Sequence, residues 1–345
     1  MHGGDIYRNR IDLDFSVNIN PLGPPEEVRE ILREGISLVD RYPDPYHEKL
    51  REELAAFFGL HKEEVVPGNG VSELLMALCH ALSPRVAMVL SPGFSGYEYA
   101  LRGVCAHCKI LYHTLSEEED FTLKEDFLLR LKKERPEVLF LADPNNPNGR
   151  LIDGGLLKEI LKVCEGQETV LVLDESFKPL TVAEKKLSAA YRVKDHKNLI
   201  VLRAFTKSFA IPGIRLGYAL CRSKLAELIK GHLPEWNLSV LAQVAGEECL
   251  KHLDHVEKAS ELIRREREYL TKGLRNLDLK SYPSDANYIL FYSAHENLGE
   301  KLIRRGILVR DCADYRSLKE GYYRVAVKKH EENEKLIRTI SKIFS

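Results

Sequence analysis

The sequence predicts an α/β fold: a large domain built on a mostly parallel sheet with helices on both faces, followed by a smaller C-terminal α/β domain. Three observations carry this. Short apolar, strand-like runs at 86–90, 138–142, 170–173, 199–202 and 216–221 alternate with helix-like segments at 95–102, 123–134 and 155–164, the pattern of strands returned to one sheet through helices. The chain has 345 residues, more than one core of ordinary size requires. From about residue 245 the alternation gives way to a long, charged, helical stretch at 247–277 that reads as a connector. The expected parts are an arm over 1–25, a large domain over 26–245 and a small domain over 246–345.

In the arm, residues 14–23 read as a short extended piece ending in the turn chemistry of Asn20, Pro21 and Gly23. Pro24 and Pro25, followed by Glu26 and Glu27, suit the opening of a helix. Pro43 and Pro45 break that helix, and Leu50, Leu54, Phe57 and Phe58 mark the apolar face of the next one. Gly68-Asn69-Gly70 then stands between Val65-Val66 and a helix carrying Leu74 and Leu78. Flexible backbone there presents either an anion site at a helix start or an ordinary turn. Ser72 is available to cap or to donate.

Ligands of open α/β sheets sit beyond the carboxyl ends of the strands, so residues at those ends matter most. Phe94 follows the first strand and either stacks on a flat ligand ring or joins the core. The loop from Asp143 to Gly149 is too rich in Asn and Pro for a helix or strand, and its amides either reach a ligand oxygen or form turns. Asp174 ends an apolar strand. A buried carboxylate needs a partner, which a helix end, a salt bridge or a protonated ring nitrogen would supply.

Lys207 follows strand 199–202, lies between Thr206 and Ser208, and precedes Pro212-Gly213 and Arg215. A desolvated lysine offers a neutral amine for covalent chemistry at a carbonyl carbon, and an arginine grips phosphate in a planar fork. Together they suggest pyridoxal phosphate, against the alternative that Lys207 is an ordinary surface lysine after a strand. In the C-terminal part, 287–292, 307–310 and 322–327 read as strands and 331–344 as a closing helix. Arg310 and Arg324 lie in otherwise apolar strands, facing either water or an anion, while the charged 264–268 run reads as a solvated helix face.

Composition narrows the class. With 51 Lys and Arg against 52 Asp and Glu, the net charge is −1 and no basic stripe marks a nucleic-acid or membrane surface. No apolar run approaches the roughly 20 residues of a membrane helix, and Met1 to Asp5 is unlike a secretory signal, so a cytoplasmic protein is expected. Seven cysteines then read as reduced thiols. Cys105, Cys108 and His113 have a zinc-like spacing, but no further pair completes four ligands. No metal is expected, and these cysteines are assigned to a strand or its approach.

Taken in order, Gly68-Asn69-Gly70, Pro92-Gly93-Phe94, Pro144 to Gly149, Asp174 to Phe177, Thr206-Lys207 and Pro212 to Arg215 resemble the fold-type I pyridoxal-phosphate enzymes, over essentially the whole chain. More narrowly they are similar to the histidinol-phosphate aminotransferase group. His2-Gly3-Gly4, the 14–23, 205–213, 309–312 and 323–327 stretches, and Phe177 in place of a common tyrosine look most like its threonine-phosphate decarboxylase branch.

The resemblance implies the aspartate aminotransferase-like fold of PLP-dependent transferases. It also implies that Lys207 carries the cofactor covalently, Asp174 pairs with the ring nitrogen, Asn146 reaches the ring oxygen and Phe94 stacks on the ring. The cofactor phosphate would take Gly70, Val71, Ser72, Thr206 and Arg215, with Tyr42 arriving from the other subunit of a homodimer with shared sites. Arg324, joined by Arg310, would hold the carboxylate of an amino-acid substrate, His2, Gly3 and Asn18 would close over it near its phosphate, and Asn146 would also touch it. Two positions depart from the pattern: Ala204 replaces the usual Ser or Thr, with Ser208 the candidate to compensate, and Asn148 replaces a Thr. The implied reaction is decarboxylation of an O-phospho amino acid, threonine phosphate to aminopropanol phosphate in cobalamin biosynthesis. The alternatives are an aminotransferase for histidinol phosphate or another amino acid and, from another class, a non-catalytic binding protein on the same fold.

Overall fold

The computed structural model describes residues 3–182 and 188–344. The arm is tied down at its first strand. β1 (Leu13–Asp14) pairs in parallel with Ile307 and Leu308, and Phe15 bonds through its backbone to Leu308 and Ala326. The proline pair opens α1 (Glu26–Gly35), as its sequence predicts. α2 (Glu48–Phe58) buries Leu50, Leu54, Ala55 and Phe58. Phe57 is a correction: it is 39% exposed, because Ala55 takes its expected place on the buried face.

The large sheet begins with β2 (Val65–Gly68), which runs straight into α3 (Gly70–Leu82). β3 (Val86–Ser91), α4 (Ser95–Val104), β4 (Lys109–Thr114), α5 (Asp126–Glu134), β5 (Val138–Ala142), α6 (Gly154–Gln167) and β6 (Val170–Asp174) follow. β7 (Leu199–Ala204) passes into the single turn α7 (Phe205–Ser208), and β8 (Gly217–Cys221) into α8 (Ser223–Lys230). These seven strands order as β2-β8-β7-β6-β5-β3-β4. Only β8 runs against its neighbours β2 and β7. The period of two divides the core: Leu171, Leu173, Leu199 and Val201 pack on one face with residues of α2, α5 and α6. Val172, Ile200 and Leu202 pack on the other with α3, α4 and α8. β4 is absent from the predicted strands because it lies at the sheet edge, where Lys109 and Thr114 are exposed and the apolar pattern thins.

The stretch expected as one long helix is two, α9 (Val240–Leu250) and α10 (Leu253–Arg275). The last turn of α9 tightens, with Lys251 and His252 N–H groups donating to Glu248 and Cys249, and His252 leaves helical dihedrals at φ −118° and ψ 42°. Nor is 264–268 wholly solvated. Glu266 is buried and accepts from Asn333, and Arg267 donates to the carbonyls of Asp285 and Ala286.

β9 (Lys280–Ser281), β10 (Tyr288–Tyr292), β12 (Arg310–Asp311) and β13 (Tyr322–Ala326) form an antiparallel sheet in the order β12-β13-β10-β9. Between β10 and β12 lie α11 (Leu298–Ile303) and β11 (Ile307–Leu308), and α12 (His330–Phe344) closes the chain. The predicted strand at 307–310 therefore changes partner midway. Its first half holds the arm, and its second half sets Arg310 opposite Arg324. Among the described residues no helix is long and apolar enough to cross a membrane. Among the same residues no group of three His, Cys, Asp or Glu side chains is arranged to hold a metal ion. Cys105, just before β4, donates its S–H to the carbonyl of Cys79.

Candidate active site

A cavity of about 250 Å³ opens at the carboxyl ends of β5, β6 and β7, where Ala142, Asp174 and Ala204 line it. Of the residues singled out in the sequence, Gly3, Asn18, Val71, Ser72, Phe94, Asn146, Asp174, Thr206, Lys207, Arg215, Arg310 and Arg324 all line this one space. They come from the arm, from five separate strand ends or loops of the large sheet and from the small sheet. His2 lies outside the described residues. Tyr42 is away from the cavity, 81% exposed, with its ring 5.0 Å from that of Trp236.

Lys207 sits in the turn α7, and the arm fastens its backbone. The Asn20 N–H donates to the Lys207 carbonyl at 2.9 Å, and Asn20 Nδ2 donates to that of Ser208 at 2.8 Å. Burial, and then the charges of Arg324 and Arg215, pull the Lys207 amine down to about 8 against the opposing pull of Asp174. At neutral pH about a tenth of such an amine is uncharged, against about one part in several thousand for an ordinary lysine.

Asp174 is fully enclosed, and burial pushes its carboxyl up from the usual range. Its oxygens are nevertheless supplied with donors. The Ser176 N–H reaches Oδ1 at 2.9 Å, and the Tyr97 hydroxyl reaches Oδ2 at 2.9 Å. Burial and the neighbouring Asp174 hold the Tyr97 phenol protonated, so it remains a donor. Tyr97 stacks on Phe140 at 5.3 Å and meets Phe94 edge-on at 5.3 Å. Phe94 is thus a half-buried cavity wall rather than core.

The start of α3 has the form of an anion cradle. Asn69 makes no side-chain cap, which leaves the first-turn N–H groups without a capping side chain. Val71 and Ser72 line the cavity, whereas Gly70 does not. Gly70 instead serves geometry: its φ is +75°, and a Cβ there would stand 2.5 Å from Arg215 Nη2. Glycine therefore lets the arginine lie against the helix start. Ser72 lies inside the first turn and is not the cap.

Asn146 accepts through Oδ1 from Arg324 Nη1 and, at 3.2 Å, from the Tyr315 hydroxyl. Its amide N–H groups are what remains to offer a ligand oxygen. Arg324 also donates to the Ser16 carbonyl at 2.9 Å and lies over the Tyr288 ring at 5.4 Å, while its Nε is buried without a partner. Asn18 Oδ1 is likewise buried and unpartnered. Unsatisfied polar atoms on one cavity wall are the mark of a space built for a polar ligand. Behind the Asn-rich loop, the fully buried pair of Lys178 and Asp143 holds its base, and Asp143 accepts the Ile152 N–H at 2.8 Å. Asn148, the departure from Thr, is structural, donating to the Phe121 carbonyl and accepting from Asn145.

The expectation that Ser208 compensates for Ala204 is not met. Its hydroxyl donates back to the Ala204 carbonyl at 3.1 Å, and it lines a separate apolar hollow. Four residues of the site, Ser16, Asn20, Tyr97 and Tyr315, do not stand out in the sequence. Two carried a usable signal: Tyr97 follows Phe94 by three residues in the first turn of α4, and Asn20 repeats Asn18 with the alternation of an extended chain. Ser16 and Tyr315 carried none.

Residues 10–340 match the family model described as aminotransferase class I and II. Threonine-phosphate decarboxylase of Salmonella typhimurium is 34% identical over 338 residues, covering 96% of this chain and 91% of that protein. Histidinol-phosphate aminotransferase 2 of Archaeoglobus fulgidus is 35% identical over 333 residues, covering 96% and 93%. Among solved structures, the histidinol-phosphate aminotransferase from Clostridium acetobutylicum superposes with a TM-score of 0.88 at 27% identity, over 96% of this chain and 98% of that one.

Proposed function

The chain belongs to the class I and II aminotransferase family, and on that premise we propose that it decarboxylates an O-phospho amino acid, in the first instance threonine phosphate to aminopropanol phosphate, a reaction of cobalamin biosynthesis. Pyridoxal phosphate is the cofactor of the family, and the residues present fit it. Lys207 offers an amine made partly neutral by burial. Asp174 offers an enclosed carboxylate in want of a cation, and the α3 start with Arg215 offers an anion cradle. Thr206 adds a hydroxyl to that cradle, Phe94 supplies a face for the ring, and Asn146 supplies an amide for its oxygen.

When bound, the cofactor supplies a protonated ring that accepts the electron pair left on the substrate α-carbon. The protein does the rest. Asp174, held by Tyr97 and Ser176, keeps the proton on the ring nitrogen by staying ionised beside it. Arg324, rigid through Asn146, Ser16 and Tyr288, fixes the substrate carboxylate. The clamp on the carboxylate would set which α-carbon bond that ring weakens and so select the reaction, and Lys207, as its ammonium, would return a proton to the α-carbon after loss of CO₂. Gly3 and Asn18 close the arm side of the cavity and exclude water; His2 is assigned to the same closure.

The observation that carries this reading is the pair of guanidinium groups of Arg310 and Arg324 on one cavity wall. A substrate with two anionic ends, carboxylate and phosphate, suits them, and an O-phospho amino acid has both while histidinol phosphate has one. The second reading, an aminotransferase, uses the same Lys207 to remove the Cα proton and is favoured by the relative from Archaeoglobus fulgidus. Exposed Tyr42 beside Trp236 supports a homodimer in which Tyr42 completes the partner's cofactor cradle. Free cysteines throughout suit a cytoplasmic enzyme. The test is CO₂ evolution from the holoenzyme with O-phospho-L-threonine. Stoichiometric CO₂ and an amino-alcohol phosphate are expected, and a keto acid formed only with an added 2-oxo acid would replace this reading by the second.

A further inference from the structure

Beside the cavity stands a carboxylate that the reaction does not use, in an adjoining hollow lined also by Tyr315 and Arg316. Arg310 Nη2 donates to both oxygens of Asp314, at 2.8 and 3.0 Å. The two partners are unequally exposed: the Arg310 side chain is 7% accessible and that of Asp314 46%. Asp314 lies on the loop between β12 and β13, and its flanks are fastened. Tyr315 donates to Asn146 inside the cavity. Arg316 ion-pairs with Glu98 at 3.1 Å and lies 4.0 Å over the Tyr112 ring, and its carbonyl accepts from Ser91. The loop is therefore held on both sides of Asp314, whose side chain is the more exposed member of the pair. Arg310, confined between the Tyr315 ring at 5.1 Å and the carbonyl of Asp311, stays where it is.

We propose that Asp314 is an internal competitor for Arg310, occupying the guanidinium as a stand-in anion until a substrate phosphate or carboxylate replaces it and taking it back as product leaves. The proposal rests on the reading that Arg310 receives a substrate anion. A buried guanidinium without a counter-ion is costly, so an enzyme that must release an anionic product gains from supplying its own replacement. The exchange sets affinity by competition: every ligand that uses Arg310 must first displace Asp314, and a ligand that ignores Arg310 is unaffected. A carboxylate that only oriented Arg310 for substrate would have the opposite effect when removed.

That opposition gives the test. Inorganic phosphate is titrated calorimetrically into the holoenzyme of the wild type, Asp314→Asn, Asp314→Glu and Arg310→Gln. Asp314→Asn, which keeps the shape and removes the charge, is expected to bind phosphate about tenfold more tightly, with Asp314→Glu returning towards wild type. The KM for O-phospho-L-threonine falls in parallel, whereas the affinity for L-alanine amide, which has neither anion, is unmoved. Unchanged or weaker phosphate binding in Asp314→Asn, with Arg310→Gln losing about tenfold or more, overturns the exchange and leaves Arg310 as the anion site. Wild-type phosphate binding in Arg310→Gln removes the underlying reading as well.

Discussion

Arg310 and Arg324 stand directly opposite each other across the β12–β13 ladder, both buried at the cavity wall. Like charges at such positions repel, and the protein meets this with acceptors on the far side of each group. Asp314 accepts from Arg310, and Asn146 and the Ser16 carbonyl accept from Arg324. The small sheet thus holds two cations near one another against their repulsion, a standing attraction for a ligand with two negative ends.

Replacing Arg324 by Gln removes one of these cations and leaves Asn146 without its guanidinium donor. Loss of one charged contact to a desolvated carboxylate costs about 3 kcal/mol or more, or roughly 100-fold in kcat/KM. Steady-state kinetics with O-phospho-L-threonine check this. If Arg324 clamps the carboxylate and so selects which bond breaks, the residual activity should include a larger share of transamination when a 2-oxo acid is present, read as the ratio of keto acid to CO₂.

Tyr97→Phe deletes only the hydroxyl that donates to Asp174 Oδ2. The ring still stacks on Phe140 and meets Phe94, so the cavity keeps its shape. Asp174 retains Ser176 and loses one donor of two kinds, an effect of about 1.5–3 kcal/mol for a hydrogen bond to a charged group. The carboxyl, already pushed up by burial, moves further up. The expected result is a fall of roughly tenfold in kcat, with a shift in the pH dependence of the bound cofactor's absorbance, which a purely packing role would leave unchanged.

The depressed Lys207 amine gives two pH signatures. Covalent uptake of pyridoxal phosphate by the cofactor-free protein needs the neutral amine, so its rate is expected to rise with pH and bend over near about 8. For stability the sign is also fixed. Between about 8 and the ordinary 10.5 the unfolded chain binds the Lys207 proton and the folded chain does not, so this group makes stability rise with pH across that window. The penalty it imposes is complete below the folded value and amounts to about 3 kcal/mol at full size. Denaturant titration of cofactor-free Lys207→Met against wild type, from pH 7 to 10, should show the difference between them shrink as pH increases.

The parts of the site legible in the sequence are those where local chemistry is unusual for its element: a lysine after a strand, an acid ending an apolar run, a glycine before a helix. Asp174, Lys207 and Gly70 are of this kind, and the alternation of strands and helices puts the first two at neighbouring strand ends. Ser16 and Tyr315 join the site only through tertiary contacts: Ser16 meets Arg324 across 308 positions of chain, and Tyr315 meets Asn146 across 169. No local pattern encodes such pairs. Ser208 shows the converse failure. Its neighbourhood suggested a ligand donor, but in the turn after β7 its hydroxyl bonds the preceding turn's carbonyl. Phe57 and the 264–268 run failed for a related reason, since periodicity indicates that a helix has a buried face and not where its edge falls.

Tyr42 tests the shared site. Its ring rests on Trp236 at the surface, far from the cavity of its own chain. If its hydroxyl serves the cofactor phosphate of the other subunit, Tyr42→Phe should weaken pyridoxal phosphate binding about tenfold, the value of one hydrogen bond to a charged group. Light scattering should show the same dimer mass. The decisive form mixes an impaired parent with an inactive one. Tyr42→Ala is expected to be impaired at both sites of its dimer and Lys207→Ala dead at both. Mixing them and allowing subunits to exchange creates heterodimers in which one cavity has an intact Lys207 facing a wild-type Tyr42. Recovery towards a quarter of wild-type activity is expected, since half the dimers are mixed and each carries one complete site. No recovery, with heterodimers demonstrated by tagged pull-down, would place Tyr42 outside the partner's site.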